Sequence, residues 1–133
     1  FYSVEEYIIA SLNFDSDDEC KVAALAYYFG IPVSEIEDSI EKDSYSENLW
    51  TVNGISYLFG SDEEMDEEWD ESIENYYNEC VLPEIPKWIR DFIDYEKWED
   101  YAKQDGRGHS LNRYDGSEIS FDYDNNTYYA YRN

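Results

Sequence analysis

The sequence predicts an α+β fold, and three observations lead to that prediction. Residues 3–40 place apolar side chains at helical spacing, residues 49–59 and 119–131 alternate apolar and polar side chains, and residues 62–74 are strongly acidic with one narrow apolar stripe. We therefore expect a helical N-terminal part, two β-hairpins that form a small antiparallel sheet, and a long acidic amphipathic helix. The 133 residues suit a single compact domain, 1–133, within which 1–46 and 47–133 could form two lobes.

Helix starts in the N-terminal part are marked by capping boxes. Ser3–Glu6 predicts a first helix that extends to Leu12, and Ser34–Glu37 predicts a third helix with Ile36 and Ile40 facing inward. Between them, Val22, Leu25, Ala26 and Phe29 predict an amphipathic second helix, capped by residues 15–18 and ended by Gly30. The spacing is that of a helix-turn-helix, but its second helix would present acids to DNA, namely Glu35, Glu37, Asp38 and Glu41. This pattern argues against DNA recognition and favours a plain helical hairpin, with a docking surface for a partner as the remaining alternative.

Two turns define the predicted hairpins. Asn53-Gly54 lies between alternating apolar runs, which is typical of a type I′ turn, and Asp124–Asn126 takes the same place in the C-terminal pair. A third capping box, Ser61–Glu64, predicts a long helix that ends near Cys80. Beyond it, a further helical stripe with an inward apolar side is predicted from Ile85, Trp88, Ile89 and Phe92.

The charge of the chain narrows its possible partners. It has 33 acidic and 9 basic residues, a net charge of −24, and no basic residue between positions 43 and 86. Aromatic residues make up 19% of the chain, which indicates a folded protein rather than a disordered acidic one. A chain of this charge lacks the cations that nucleic acids or anionic membranes require, so a basic protein partner is favoured. Since neither a transmembrane run nor a signal peptide is recognisable, we expect a cytoplasmic location.

The predicted acidic helix carries the main candidate site. On a helical wheel, Met65, Trp69, Ile73, Tyr76 and Cys80 form one apolar stripe, while most of the acids face away from it. Nine acids in 13 residues give roughly one charge per 2 Å of helix axis, close to the one per about 1.7 Å of duplex DNA. A solvated acidic face is the simpler interpretation, but the charge density favours partner binding. The predicted partner-binding residues are Asp62, Glu63, Glu64, Asp66, Glu67, Glu68, Asp70, Glu71 and Glu74, helped by Asp15, Asp17, Asp18, Glu19, Glu35, Asp38 and Glu41.

Catalytic and metal chemistry receive weaker support from the sequence. An enzyme would use His109 with Asp105 or Asp115 as base and Ser110 as nucleophile, but we favour a structural loop in which Arg107 and His109 bind the acidic body. Residues 122–126 begin like a calcium loop but lack its later glycine and glutamate. We therefore expect no catalytic residue, no cofactor and no dedicated metal site. Cys20 and Cys80 are expected to be free, buried thiols.

Parts of the chain resemble known proteins. The stretches 69–76, 82–86 and 105–111, followed by Tyr114-Asp115-Gly116, look like small acidic proteins encoded by bacteriophages and mobile elements. The part from Ile85 through residues 92–95 to Gly106 also resembles the C-terminal part of ArdA-type antirestriction proteins. That family mimics the charge pattern of DNA, and some anti-CRISPR proteins use the same strategy on Cas effectors. The resemblance covers about half of the chain, implies a counter-defence role and assigns no catalytic residue.

The leading hypothesis is a DNA-mimic inhibitor that competes with nucleic acid for the basic groove of a CRISPR–Cas effector or a restriction enzyme. The alternative is an acidic adaptor or regulator that binds a basic host protein, such as a transcription or nucleoid protein. Paired tyrosines (Tyr27/Tyr28 and Tyr128/Tyr129) suit an interface and are compatible with a homodimer, which no pattern in the sequence requires.

Overall fold

The computed structural model describes residues 16–133, apart from the side chains of Ser16 and Asp17, and it confirms the α+β class. Helix α1 spans Ser16–Phe29; a 3-10 turn, Val33–Glu35, leads into α2, Ile36–Ser39, and then into strands β1 (Ile40–Lys42), β2 (Leu49–Val52) and β3 (Ile55–Ser61). Helix α3 spans Asp62–Tyr76 and continues as a π turn, Tyr77–Val81, and a 3-10 turn, Leu82–Glu84. Then follow α4 (Lys87–Arg90), α5 (Tyr95–Ala102), α6 (Arg107–Leu111), β4 (Ile119–Tyr123) and β5 (Asn126–Arg132). The helix predicted to open at Ser3 lies outside the described residues.

The five strands form one antiparallel sheet in the order β1-β2-β3-β5-β4. Both predicted hairpins are confirmed. Asn53 and Gly54 have φ of 51° and 82°, and Asp124 and Asn125 have φ of 49° and 63°. Positive φ at both central residues is what a type I′ turn requires, so both turns match the right-handed twist of their strands. The hairpins join through β3 and β5, where Phe59 lies opposite Ala130.

Strand β1 was not predicted, and the predicted third helix is wrong in extent. The capping box predicted at Ser34–Glu37 does not form, since neither the 3-10 turn after Pro32 nor α2 has a side-chain cap. Helix α2 lasts four residues before the chain becomes extended at Ile40 (φ −123°, ψ 122°). Ile40 then pairs with Val52 of β2. Both Ile36 and Ile40 are buried as expected, but a spacing of four residues fits one helical turn followed by a strand as well as it fits a longer helix. Because β1 and β2 pair, residues on both sides of position 46 belong to the same sheet.

The alternation of the strands divides the core into two layers. On one face, Trp50, Val52 and Phe59 pack against α1, which contributes Val22 and Leu25. On the other face, Leu58 and Tyr131 pack against Met65 of α3 and Leu111 of α6. Helix α1 and helix α3 therefore lie on opposite faces of the sheet. The acidic helix is held against the protein by the second, smaller cluster.

An aromatic cluster connects the end of α3 to α5. The Tyr77 ring lies 4.9 Å from that of Tyr95 and 4.8 Å from that of Trp98, measured between centroids. The stripe predicted around α4 is only partly correct. Its isoleucines are half-buried, but Trp88 and Phe92 are 75% and 82% exposed. The apolar side of α4 is thus divided between the core and the surface.

Candidate functional site: the acidic helix α3

The start of α3 is fixed by the predicted capping box. Ser61 Oγ accepts a hydrogen bond from the Glu64 backbone N–H at 3.2 Å, and the Glu64 carboxylate accepts one from the Ser61 N–H at 3.0 Å. Asp62, Glu63 and Glu64 occupy the first turn, where the helix dipole stabilises negative charge. The helix therefore begins at a defined residue and presents its acids in a fixed register.

In the second half of α3, the residues that contact the core differ from those of the predicted apolar stripe. Met65 and Ile73 are buried and Trp69 is half-buried, but Tyr77 is buried where Tyr76 was expected, and Tyr76 is 57% exposed. The buried residues follow a single i, i+4 ridge, which turns by about 40° at each step because the helix has 3.6 residues per turn. The contact face therefore rotates toward Tyr77, and the predictions that Tyr76 and Cys80 are inward are wrong.

One flank of α3 is bound by a single buried arginine. The Arg107 guanidinium lies 2.9 Å from an oxygen of Asp62, 2.8 Å from one of Asp66 and 3.4 Å from one of Glu118. Its Nε donates to the Tyr131 hydroxyl at 2.5 Å, and that hydroxyl donates to Glu118. The Arg107 side chain is 8% exposed. It thus attracts three carboxylates, offsets one of their three charges, and connects α3 to β5 and to the loop before β4.

The protonation states of this network are fixed by its contacts. Burial alone lowers the pKa of Arg107, but its hydrogen bonds to Tyr131 and Asp62 outweigh that effect and raise the pKa above its ordinary value. Burial and the hydrogen bond to Glu118 raise the pKa of Tyr131. Arg107 is therefore a permanent cation and Tyr131 a neutral phenol at physiological pH.

A close backbone approach places Arg107. At Gly108, a Cβ atom would lie 2.5 Å from the carbonyl oxygen of Gly116, so only glycine lets α6 pack this tightly on the loop before β4. Gly106 opens α6 with a φ of 89°. The sequence suggested a loop at 105–108, and the structure has a short helix that begins inside it. The contact of Arg107 with acids was expected, but its burial between two tyrosine rings was not; its guanidinium lies 4.6 Å from the Tyr129 ring and 5.6 Å from the Tyr131 ring.

Three further acids of α3 are occupied within the molecule. The Glu64 carboxylate lies 2.7 Å from Lys21 Nζ, Glu68 accepts a hydrogen bond from Asn48 at 2.9 Å, and Asp70 pairs with Lys103. Burial alone raises the pKa of Glu64, but the hydrogen bonds from Lys21 and Ser61 outweigh it, so the pKa lies below its ordinary value. These contacts connect α3 to α1, to the loop before β2 and to the segment after α5.

The remaining acids of α3 form one exposed stripe. They make no ion pair or hydrogen bond through their side chains with any residue in 16–133, and we call them the outer stripe: Glu63, Glu67, Glu71 and Glu74. At 100° per residue they cluster within about 80° on the side of the helix away from the core. They extend over about 16 Å of helix axis, or one unpaired charge per about 5 Å.

The loop between β1 and β2 adds to this acidic surface. It forms one wall of a hollow of about 330 Å³, and the other wall is α3. Glu47 faces the outer stripe there, beside the fully exposed Tyr45. Neither residue was among the predicted binding residues. Sequence alone indicates only weakly that these two residues lie beside α3. The position of their six-residue loop depends on the pairing of β1, which no local pattern predicts.

The supporting acids of the N-terminal part lie elsewhere. Asp18 is 8% exposed and pairs with Lys42 at 3.0 Å, and Glu19 is half-buried. Glu35, Glu37, Asp38 and Glu41 are exposed. Because Ile36 packs in the same cluster as α1, the α2 acids lie on the face of the sheet opposite α3. Asp15 and the side chain of Asp17 lie outside the described residues. Glu41 follows the buried Ile40 in β1, so strand alternation points it to the α3 face instead. The structure therefore does not place Asp18, Glu19 and the α2 acids on one continuous surface with the outer stripe.

The candidate catalytic residues are not arranged as a relay. His109 is exposed and lies 3.9 Å from Asp105, while Ser110 Oγ accepts the indole N–H of Trp69 at 3.0 Å. The Asp115 carboxylate accepts from the Ser117 hydroxyl at 2.7 Å, a contact that lowers the pKa of Asp115. Ser110 and Asp115 are each held by a neighbour other than His109, and Asp105 lies beyond hydrogen-bond distance of it.

Cys20 and Cys80 are free as expected, but both are exposed, so the prediction that they are buried is wrong. Cys80 lies in the π turn, on the side away from the buried Tyr77 ridge, and is exposed. Within residues 16–133, no group of three or more His, Cys, Asp or Glu side chains is arranged to hold a metal ion. In the same part of the chain, no helix has both the length and the apolar character needed to cross a membrane.

No protein-family model, curated protein or solved structure matches this chain.

Proposed function

We propose that this chain is a DNA-mimic inhibitor of a host defence nuclease. The observation that carries the proposal is the outer stripe, four unpaired glutamates on one side of a well-anchored helix in a chain of net charge −24. The stripe would occupy a groove lined by lysine and arginine that otherwise binds nucleic-acid phosphates. Inhibition would be stoichiometric competition in the bacterial host cytoplasm, with no catalytic step and no cofactor.

The acids of α3 fall into a paired group and an unpaired group, and this division supports the proposed function. Arg107, Lys21 and Lys103 pair with the acids at the flanks of α3 and leave the outward ones unpaired. Like charges spaced four residues apart destabilise a helix by a few tenths of a kcal/mol per pair. A surface helix that served only solubility would gain nothing from keeping such a stripe unpaired, since a net charge of about 2–8 in magnitude suffices for a small domain.

Rigidity also favours a mimic over a flexible acidic tail. The capping box, the Arg107 network and the Tyr77 cluster hold α3 at its start, middle and end. Carboxylates that are fixed before binding lose less conformational entropy when they meet a rigid groove. The proposed class of target, either a CRISPR–Cas effector or a restriction enzyme, rests on the resemblance that the sequence suggests to phage and mobile-element proteins.

The experiment starts by capturing the partner. The immobilised chain is exposed to nuclease-treated bacterial lysate at low salt, and bound proteins are released by a salt step and identified. The purified partner is then tested for displacement of labelled duplex DNA or guide RNA by increasing amounts of this chain. A mimic displaces nucleic acid at one chain per groove, and its affinity falls as salt rises. Binding without displacement would favour the acidic adaptor instead.

Matched variants separate the outer stripe from net charge. In the first variant, all four outer-stripe glutamates become glutamine; in the control, four exposed acids elsewhere are neutralised, namely Glu84→Gln, Glu96→Gln, Asp100→Asn and Asp124→Asn. Both variants change the net charge by +4. We expect the first to weaken competition about a hundredfold and the control by less than about threefold, since close charge pairs at an interface contribute far more than distant ones. Equal losses would mean that total charge, not this stripe, drives binding.

A further inference from the structure

The helical turn α4 and the two residues after it present an exposed face. Along this segment, residues 87, 88, 91 and 92 are exposed, while residues 89, 90 and 93 are half-buried. Pairs of exposed and half-buried residues thus alternate, which matches the helical period, so the four exposed residues share one side of the turn. Ile89 and Phe92 donate backbone hydrogen bonds to Pro86 and Ile89, which continues the helical turn to Phe92.

This side combines two aromatic residues with two opposite charges. Trp88 and Phe92 are 75% and 82% exposed. Lys87 and Asp91 flank them, and neither makes an ion pair with a residue in the described part of the chain. We call Lys87, Trp88, Asp91 and Phe92 the α4 face. Exposed apolar side chains that lie together, rather than singly, are candidates for an interaction site.

The charge of the α4 face indicates which partner it fits. Residues 87–103 contain four basic and five acidic residues, a net charge of −1, whereas residues 62–79 contain ten acids and no base. A basic groove gains little from a nearly neutral surface. A second copy of this acidic chain, by contrast, meets far less repulsion here than at α3.

The order of the charges makes the face self-complementary. A positive residue lies at one end of the turn and a negative residue at the other, with the aromatic pair beside them. When two copies meet about a two-fold axis with their turns antiparallel, Lys87 of each lies opposite Asp91 of the other. The same operation places Trp88 of each copy against Phe92 of the other, an aromatic contact that adds to the buried area.

We propose that the α4 face binds a second copy of this chain and forms a symmetric, transient dimer. The exposed fractions of the two aromatic side chains give roughly 300 Å² per copy, or about 600 Å² in total, which is below the roughly 1,200 Å² of standard specific interfaces. The dimer is therefore expected to be weak, with a dissociation constant of roughly a hundred micromolar or more. The proposal does not rest on the function proposed above, because the outer stripe belongs to a different element.

Sedimentation velocity of the full chain from about 10 μM to about 1 mM, at physiological salt, tests the proposal. The wild-type chain should show a concentration-dependent dimer, and the double variant Trp88→Ala/Phe92→Ala should remain monomeric with an unchanged circular-dichroism spectrum. Tyr45→Ala, which removes a fully exposed aromatic residue outside the α4 face, should leave the dimer intact. A wild-type chain that is monomeric throughout, or a dimer that survives in the double variant, would overturn the proposal.

Charge exchange tests the antiparallel arrangement. Lys87→Asp and Asp91→Lys each place like charges opposite one another, and each should raise the dimer dissociation constant about tenfold or more. Combining them restores opposite charges across the axis, so Lys87→Asp/Asp91→Lys should return to within about threefold of wild type, since the two sites are coupled. If the combined variant is as weak as the single ones, the two residues do not face each other across a two-fold axis.

Discussion

At the scale of single residues, Arg107 is the most consequential side chain of the described structure. Its guanidinium is buried, and it is shared by Asp62, Asp66, Glu118 and the Tyr131 hydroxyl. In a chain with 33 acids and 9 bases, each base that binds several acids reduces repulsion at several points. The charge of the acidic helix is therefore compatible with folding partly because of one arginine that lies 41 residues further along the chain than Asp66.

Replacing this arginine tests that role. We expect Arg107→Met to lower the free energy of unfolding by about 2–3 kcal/mol, since it removes charge-assisted hydrogen bonds and leaves the Tyr131 hydroxyl short of a partner. The loss stays below that of a fully buried ion pair because Asp62 and Asp66 are 68% and 56% exposed and can be hydrated. Urea unfolding at neutral pH measures the change. Lys97→Met, at an exposed position, is the control and should stay within about 0.5 kcal/mol of wild type.

The contact between Glu64 and Lys21 predicts a pH dependence. Because the folded pKa of Glu64 lies below its ordinary value of 4.5, the folded chain binds this proton less tightly than the unfolded chain does. Its contribution to stability is therefore fully present above the unfolded pKa and is lost as pH falls through the folded pKa. We expect Glu64→Gln to be less stable than wild type at pH 7, with the difference shrinking below about pH 4.5.

Glu63 provides the control for that measurement. It is the adjacent residue, it is exposed, and its carboxylate makes no contact with a described cation. Unfolding curves of wild type, Glu64→Gln and Glu63→Gln are compared over the acidic range. Were the Glu64→Gln difference constant with pH, the carboxylate charge would not be the stabilising feature of that contact.

At the scale of elements, the acidic helix should be less stable than its neutral counterpart. The outer stripe places like charges at i, i+4 between Glu63, Glu67 and Glu71, and each such pair costs a few tenths of a kcal/mol. We expect the fourfold glutamine variant of the outer stripe to gain about 0.5–1 kcal/mol in free energy of unfolding, since glutamine and glutamate have similar helix propensities. Thermal and urea unfolding would show it.

The expected gain in stability of the fourfold glutamine variant allows the competition experiment to distinguish lost binding from lost folding. A variant that is more stable and yet competes poorly has lost a binding surface rather than its fold, which is the trade-off expected when a charged face is kept for function. A fourfold variant that is less stable than wild type would indicate instead that the outer stripe makes favourable contacts within the chain.

The packing of helix α6 predicts an unusual glycine effect. Glycine inside a helix is normally about 1 kcal/mol worse than alanine, so Gly-to-Ala changes there tend to stabilise. At position 108, however, a Cβ atom would lie 2.5 Å from the Gly116 carbonyl oxygen, and backbone cannot move aside cheaply. We expect Gly108→Ala to destabilise the fold by about 1–3 kcal/mol, as measured by urea unfolding. A stabilising effect would show that α6 does not pack this closely on the loop.

Elements whose conformation depends on residues a few positions apart could be predicted from the sequence. Elements that form only by pairing with a residue far along the chain could not. The two type I′ turns and the Ser61 capping box depend on residues a few positions apart, and all three were predicted correctly. Strand β1 is three residues long and exists because Ile40 pairs with Val52, a contact that no local pattern records. The same limit applies to the site, since the unpaired acids could be identified only after Lys21, Lys103 and Arg107 had been placed.

At the scale of the whole molecule, net charge should make salt act in opposite directions on stability and on binding. Repulsion among the acids destabilises the compact chain, and raising ionic strength from about 0.01 M to about 1 M shortens the screening length from about 30 Å to about 3 Å. The few internal ion pairs are also screened, but they are partly buried and are therefore screened less. The net effect of salt on the folded chain should be stabilising.

We expect the melting temperature to rise by at least about 3 °C across that salt range, a change of about 1 kcal/mol for a chain of this length. Calorimetry in sodium chloride measures it, and the fourfold glutamine variant should show a smaller rise because less repulsion remains to be screened. Competition with nucleic acid should weaken over the same range, since it depends on attraction between unlike charges. Opposite slopes from one protein in one buffer series would assign both effects to the same carboxylates, whereas a melting temperature that falls with salt would mean that the internal ion pairs outweigh the repulsion.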